Sequence, residues 1–281
     1  MLAVGTLSVG WTDDPTLTTF AVVAAGLFGL LVGSFLNVVV HRVPRGLSVV
    51  RPPSACPGCG APVRPRDNVP VLSWLLLRGR CRDCGEPISG RYPLVETATG
   101  LAFAGVVAAV LLEGPTPWVV PALLYLAAVS IALTLIDVDV HRLPDAIVLP
   151  SYPVLFVLLA VASAGSGDWP ALLRAALGAG AGFGCFLLLV LVYPAGMGFG
   201  DVKLAGVLGM VLGWYGWGAL VLGLFLGFLL GGVVGLAIVA LGRGTGKTKI
   251  PFGPYMVVGA WLAVGFAAPV VDAYLRASGL R

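Results

Sequence analysis

Charge is scarce in this chain. Of its 281 residues 11% are Asp, Glu, Lys or Arg and 58% are hydrophobic, where a soluble domain carries about 25% charged residues. That shortage excludes an ordinary soluble fold. No strong excess of one sign exists either: a net charge of +4 is too small to point to nucleic acid. There is no basic n-region before the first apolar run; Asp13 and Asp14 stand there instead, and the run is too long for a cleavable signal peptide, so it is expected to be retained. Histidine is limited to His41 and His141, and His141 reads as an interfacial polar residue rather than a metal ligand. What is abundant is glycine and proline, 40 and 21 residues. They are scattered among Leu, Val and Ala runs of membrane-spanning length, which disordered chains lack. Such glycines let helices approach closely.

With about 20 apolar residues per bilayer crossing, spans fall near residues 17–41, 93–112, 118–136, 147–163, 171–193, 202–213, 218–241 and 252–271. The expected fold class is an all-α polytopic membrane protein of about eight transmembrane helices with a cytoplasmic zinc-ribbon-like loop. The short 202–213 span ends at Gly213-Trp214-Tyr215-Gly216-Trp217-Gly218, which reads as a turn lined by interfacial aromatics. Seven spans is the alternative count. Nine arginines lie between the first two spans (Arg42, Arg45, Arg51, Arg64, Arg66, Arg78, Arg80, Arg82 and Arg91), and later loops on that side add Arg142, Lys203, Arg243, Lys247 and Lys249. Fourteen of the 17 basic residues thus share one side, which the positive-inside rule makes the cytoplasm. The other side receives Asp13, Asp14, Glu113, Asp168 and Asp272 with Arg174, Arg276 and Arg281. Both termini are therefore expected outside.

Cys56-Pro-Gly-Cys59 and Cys81-Arg-Asp-Cys84 form two C-x-x-C knuckles, each followed by glycine, Gly60 and Gly85. Four thiolates complete a tetrahedral zinc shell, and the glycine after each pair lets the turn aim backbone N–H groups at sulfur. Disulfides are the competing reading, disfavoured in a reducing compartment. A closed four-cysteine shell has no open position for water, so the zinc is expected to be structural. The nearby arginines need no nucleic-acid or lipid partner to explain them. Cys185, alone in a Leu-rich span, reads as a buried inert thiol.

Acidic residues at the ends of apolar runs carry the chemistry. Asp137 closes one run, Asp139 and Asp145 follow, and Asp201 opens a helix after Gly198-Phe-Gly. Ionisable groups in or at membrane spans are costly and point to function. Two such carboxylates brought together would share a proton, one acting as base on a water: aspartic-protease chemistry. Other readings compete. Asp145 after Pro144 looks like an N-cap, Asp139 like a solvated loop charge, Asp201 like a cap, and Asp137 like a partner of His141 one turn on. Gly29-x-x-x-Gly33 reads as a packing face, with Asn37 and His41 on a polar strip beyond it. The segment from Gly242 to Thr248 imitates a phosphate loop, but Leu241 stands where that motif needs glycine. Gly196-x-Gly198-x-x-Asp201 lacks the third glycine of a dinucleotide loop.

Several longer motifs occur in order: Gly33-Ser-Phe-Leu-Asn-Val-Val-Val-His-Arg-Val-Pro44, the paired knuckles with Arg78-Gly-Arg before the second, Ile88-Ser-Gly-Arg-Tyr-Pro-Leu-Val-Glu96, Asp137-Val-Asp with Leu143-Pro-Asp145, Gly198-Phe-Gly-Asp201 and Pro251-Phe-Gly-Pro254. By these the chain resembles the bacterial type IV prepilin peptidases, bifunctional leader peptidases and N-methyltransferases of the membrane aspartyl protease type. The resemblance implies that Asp137 and Asp201 are the catalytic pair. It also implies removal of the leader of prepilins or pseudopilins after a glycine at the cytoplasmic face, then methylation of the new N-terminus with S-adenosylmethionine. The family associates the cysteine domain with methyl transfer, so both activities are expected of a chain that keeps Cys56, Cys59, Cys81 and Cys84. No S-adenosylmethionine loop is recognisable; Glu96 and Asn37 are offered for supporting that site, and Lys203 for tuning Asp201 or anchoring the leader.

The expected organisation is an N-terminal segment with the first span over 1–43, a cytoplasmic cysteine domain over 44–92, and a transmembrane peptidase core over 93–281. The location implied is the bacterial inner membrane, with the lipid bilayer and prepilin-type substrates as partners and no nucleic acid. Three other readings remain in competition: a peptidase without methyl transfer, a transporter, and a scaffold displaying a zinc ribbon. A transporter would set its ionisable groups near the bilayer midplane, whereas these acids lie at one membrane face.

Overall fold

The structure, a computed structural model, describes residues 14–114, 116–194, 197–242 and 250–279. Asp13, Gly196, Arg281, the phosphate-loop imitation beyond Gly242 and the basic residues Arg243, Lys247 and Lys249 lie outside the described residues, as does the Glu113 side chain. The described chain is helical and contains no named strand. In order it forms α1 (Pro15–Arg42), the five-residue α2 (Leu72–Leu76), α3 (Arg91–Glu113), α4 (Val120–Val140), α5 (Asp145–Ser166), α6 (Trp169–Val192), α7 (Phe199–Tyr215), α8 (Trp217–Ala240) and α9 (Gly253–Ala277). Seven of these, all but α2 and α7, are long and apolar enough to cross a membrane. The chain is a polytopic helical membrane protein, and the expected fold class holds.

Two compact units divide it: residues up to Asn37 with Pro52–Ala127, and Val38–Arg51 with the chain from Ala128 on. In the first, α1 lies against α3 through glycines. A side chain at Gly29 would meet the Thr99 carbonyl at 2.7 Å, and one at Gly33 would meet Glu96 Cα at 2.7 Å. The Gly29-x-x-x-Gly33 face packs as expected. The cysteine loop of this unit holds together by turns, isolated bridges (Ala55 with Pro62, Arg80 with Pro87) and ion pairs Arg64–Asp83 at 2.7 Å and Arg82–Asp67 at 2.6 Å.

In the second unit α7 is the central element. Val202, Leu204–Trp214 and Asp201 are all buried, and α5, α6, α8 and α9 surround it. Small residues make this tight. A side chain at Gly178 of α6 would run into the Gly209 carbonyl of α7, and one at Gly182 into the Ala205 carbonyl. Gly213 in turn faces the Arg174 carbonyl. The pairing runs Gly178 with Gly209 and Gly213, and Gly182 with Ala205, so the two helices are antiparallel. At about 1.5 Å per residue, the 17 residues of α7 reach about 25 Å. The expected short span at 202–213 is therefore a helix running alongside α6 to Tyr215. Gly213 does not turn the chain, because it is needed inside the helix contact; Gly216, at φ 138°, does.

Polar side chains tie the helices where lipid could not satisfy them. Trp214 Nε1 donates to Ser163 Oγ at 3.0 Å, Trp261 Nε1 to Ser130 Oγ at 3.2 Å, and Tyr152 Oη to the Lys203 carbonyl at 2.7 Å. Outward the surface is apolar, with Leu188, Val221, Phe225 and Leu236 exposed. Cys185 corrects an expectation: it is exposed on α6, because bilayer rather than protein covers that face.

Candidate active site and metal cluster

Asp137 lies in the last turn of α4 and Asp201 in the first turn of α7. Both are buried, at 5% and 9% exposure, and Asp201 does cap α7, its carboxylate taking the N–H of the cap residue Gly198. Each carboxylate accepts one backbone N–H from the first turn of a helix, where such donors have no partner within the helix. Gly198 N–H donates to Asp201 Oδ2 at 3.0 Å, and Gly253 N–H, at the start of α9, donates to Asp137 Oδ2 at 2.9 Å. A Cβ on Gly253 would stand 2.9 Å from that same oxygen and 3.4 Å from Leu143 Cδ2. Only glycine lets the helix end come this close.

The two aspartates line one cavity of about 450 Å³. Its other walls are Val43 and Pro44 after α1, the 141–145 connection from His141 to Asp145, Gly198, Gly200 and Lys203. His141 takes a left-handed conformation, φ 52°, with its N–H donated to the Asp137 carbonyl at 2.8 Å, so the chain turns sharply just past the carboxylate. Gly200 keeps its Cβ position 3.0 Å from Leu143 Cβ, which closes the 143 side of the cavity onto α7.

Two sequence expectations change here. Asp145 is not the cap of α5. Pro144 occupies the cap position in extended conformation, and Asp145 is the first helical residue without a capping bond. Both Asp145 oxygens instead accept from Lys203 Nζ, at 2.6 and 2.8 Å. Lys203, which also lies 5.1 Å over the Phe199 ring, is thereby committed to Asp145 rather than to its neighbour Asp201. The hydrogen bond between Asp137 and His141 is the backbone one, His141 N–H to the Asp137 carbonyl. The Gly253 amide was not foreseen, although Pro251-Phe-Gly-Pro254 stood out as a motif: a backbone donor has no residue signature, and only a glycine flanked by prolines hints at it.

The four knuckle cysteines gather in the first unit. Their sulfurs all lie within 4.8 Å of one another, and Cys56 Sγ and Cys84 Sγ are 3.7 Å apart. A disulfide needs about 2.05 Å; tetrahedral zinc with bonds of about 2.3 Å sets sulfurs about 3.8 Å apart. All four are free thiols. Gly60 and Gly85 adopt φ 71° and 74° and close the turns, but their own N–H groups go to the Cys56 and Cys81 carbonyls rather than to sulfur. Backbone amides of Cys84 and Asp83 draw the Cys81 thiol down to about 7. The Cys84 thiol is pulled down by the Glu86 amide, yet loss of water and the three neighbouring thiols push it up to about 12. Four thiols this close cannot all lose their protons without a cation among them. The donor set and spacing fit a metal ion.

Asn37 and Glu96 are both engaged with backbone. Asn37 Nδ2 donates to the Tyr92 carbonyl at 3.2 Å, and Glu96, buried, accepts the Val71 N–H at 2.7 Å.

A helical membrane protein with paired buried carboxylates at helix ends and a four-cysteine cluster is thus defined. The chain matches the Bacterial Peptidase A24 N-terminal domain over residues 27–110 and the Type IV leader peptidase family over residues 124–236. It is 38% identical over 283 residues to the prepilin leader peptidase/N-methyltransferase of Aeromonas hydrophila, covering 89% of this chain and 92% of that protein. The protein of the same name from Pseudomonas aeruginosa is also 38% identical, with 91% and 93% covered. That from Neisseria gonorrhoeae is 37% identical, with 89% and 92% covered. The chain belongs to the type IV leader peptidase family. No solved structure matches it significantly.

Proposed function

We propose that this protein is a membrane-embedded aspartic endopeptidase that removes the leader of type IV prepilins or pseudopilins and then N-methylates the new N-terminal residue. The carrying observation is the cavity that holds Asp137 and Asp201, each anchored by one helix-end amide. The names borne by relatives 37–38% identical over about nine-tenths of their length support the substrate class and the second activity.

In the peptidase step one carboxylate takes a proton from a water whose oxygen bonds to the scissile carbonyl carbon. The other carboxyl gives its proton to the carbonyl oxygen. When the C–N bond breaks, the nitrogen leaves as an amine with the proton the first aspartate had taken, one hydroxyl of the intermediate gives its proton back to the second aspartate as the carbonyl re-forms, and the pair again shares one proton. The amides of Gly198 and Gly253 hold each carboxylate in one rotamer throughout. Helix-end depth suits a substrate whose apolar helix lies in the bilayer and whose leader junction emerges at its end. The excess of basic residues on this side supports a cytoplasmic cavity and cysteine loop; with α7, antiparallel to α6, as an eighth crossing beside the seven longer helices, both termini would lie outside.

Zinc held by Cys56, Cys59, Cys81 and Cys84 would staple the loop; its closed shell leaves no place for a reacting water. S-adenosylmethionine is the methyl donor implied by the transferase activity. Asn37 and Glu96, the side chains the sequence offers for it, are taken up by backbone groups. Incubation of the protein in detergent with a leader-bearing prepilin, with and without S-adenosylmethionine, gives the test by intact mass. Cleavage in both samples and one added methyl only with the donor are expected. An intact leader with several prepilins would overturn the peptidase reading, and cleavage without the methyl the second activity.

A further inference from the structure

The cysteine loop carries an apolar edge that none of the described residues covers. In and around α2, Val69, Leu72, Leu75 and Leu76 are exposed, Leu76 by 74%. A loop domain working in water would bury such a patch. The edge is held rigidly. Val71, a β-branched residue, takes φ 60° just before α2, a costly conformation, with its N–H on the Glu96 carboxylate at 2.7 Å. Trp74 Nε1 donates to the Ile88 carbonyl at 3.0 Å, and its ring fills the space beside Gly79 where a side chain would stand.

These same bonds fix the depth of the edge. Glu96 is five residues into α3, which begins at Arg91, or about 7.5 Å along its axis. The 23 residues of α3 reach about 34 Å against a hydrocarbon core of about 30 Å. Glu96, and with it the start of α2, therefore lies within about one helical turn of the level where acyl chains meet headgroups, the depth at which an interfacial helix buries its apolar face. Directly after α2, Arg78 and Arg80 are exposed, and neither has an acidic partner among the described residues, whereas Arg64 and Arg82 do. Leucines set at interface depth beside unpaired arginines are the chemistry that an anionic leaflet satisfies.

We propose that α2 and the Arg78–Arg80 turn seat the cysteine loop in the headgroup layer and bind anionic phospholipid there. The inference rests on α3 as a span, not on the peptidase reading. The test places the photoreactive residue benzoylphenylalanine at Leu76 of the full-length protein in vesicles of phosphatidylcholine and phosphatidylglycerol. Irradiation should attach phospholipid at that position, with phosphatidylglycerol enriched roughly fivefold per arginine over its bulk share. Arg78→Gln with Arg80→Gln should return the adducts to the bulk ratio without changing the melting temperature. Absence of lipid adducts, adducts to a second copy of the chain instead, or adducts in the bulk ratio before the arginines are replaced would each overturn it.

Discussion

At the scale of single residues, the proposed peptidase chemistry rests on how two carboxylates are held. Asp137 and Asp201 each receive one amide from a helix start, and for Asp137 that requires a glycine at 253. Gly253→Ala should place a methyl against the carboxylate and loosen that bond, costing on the order of 1–3 kcal/mol. Cleavage should slow by roughly tenfold to a hundredfold while the protein still inserts and folds, which initial rates on a prepilin and thermal unfolding would read together. The two aspartates were legible in the sequence because acids at the ends of long apolar runs are rare and expensive. Their anchors were not, since a backbone N–H belongs to no residue type. Asp145 and Lys203 misled for a related reason. Each lies near a plausible local partner in sequence, yet they pair across 58 residues, which local spacing cannot reveal.

The elements follow their hydrophobic runs closely, and they part from them where packing intervenes. Gly213 reads as a turn in sequence but lies inside α7, because α6 approaches so near there that only hydrogen fits. Gly178→Leu should force this contact apart. Overpacking of that kind costs about 1–3 kcal/mol or more, so the melting temperature in detergent should fall clearly below that of Gly180→Leu, a position open to the outside. In the cysteine loop the legible part was the pair of knuckles with their glycines; the ion pairs that brace it were not. The guanidinium of Arg82 holds the Asp67 carboxyl below the usual carboxylate range. The fold therefore favours the ionised form. Its contribution is complete above the unfolded carboxylate value of about 3.9 and is lost as pH falls through the lowered folded value. Hydrogen-exchange protection of the Gly79 and Ile88 amides, corrected for intrinsic rate, should accordingly be greater in the wild type than in Asp67→Asn near neutrality. That difference should shrink toward zero in acid; a difference independent of pH would contradict the pairing.

For the molecule as a whole, composition gave the class: with 58% hydrophobic residues the chain has an apolar exterior, and α6 meets α7 closely through glycine and alanine. The order of motifs gave the family. What the sequence could not supply was the convergence of α4 and α7 on one cavity, with the start of α9 against the Asp137 carboxylate, since that depends on α7 being enclosed by its neighbours. The central claim is that this convergence makes a peptidase. Its most direct test is the rate of leader removal by purified Asp137→Asn and Asp201→Asn proteins that match the wild type in melting temperature. The account predicts a loss on the order of a thousandfold or more in each, with the prepilin recovered at its full mass. Cleavage at the wild-type rate by either variant would contradict it.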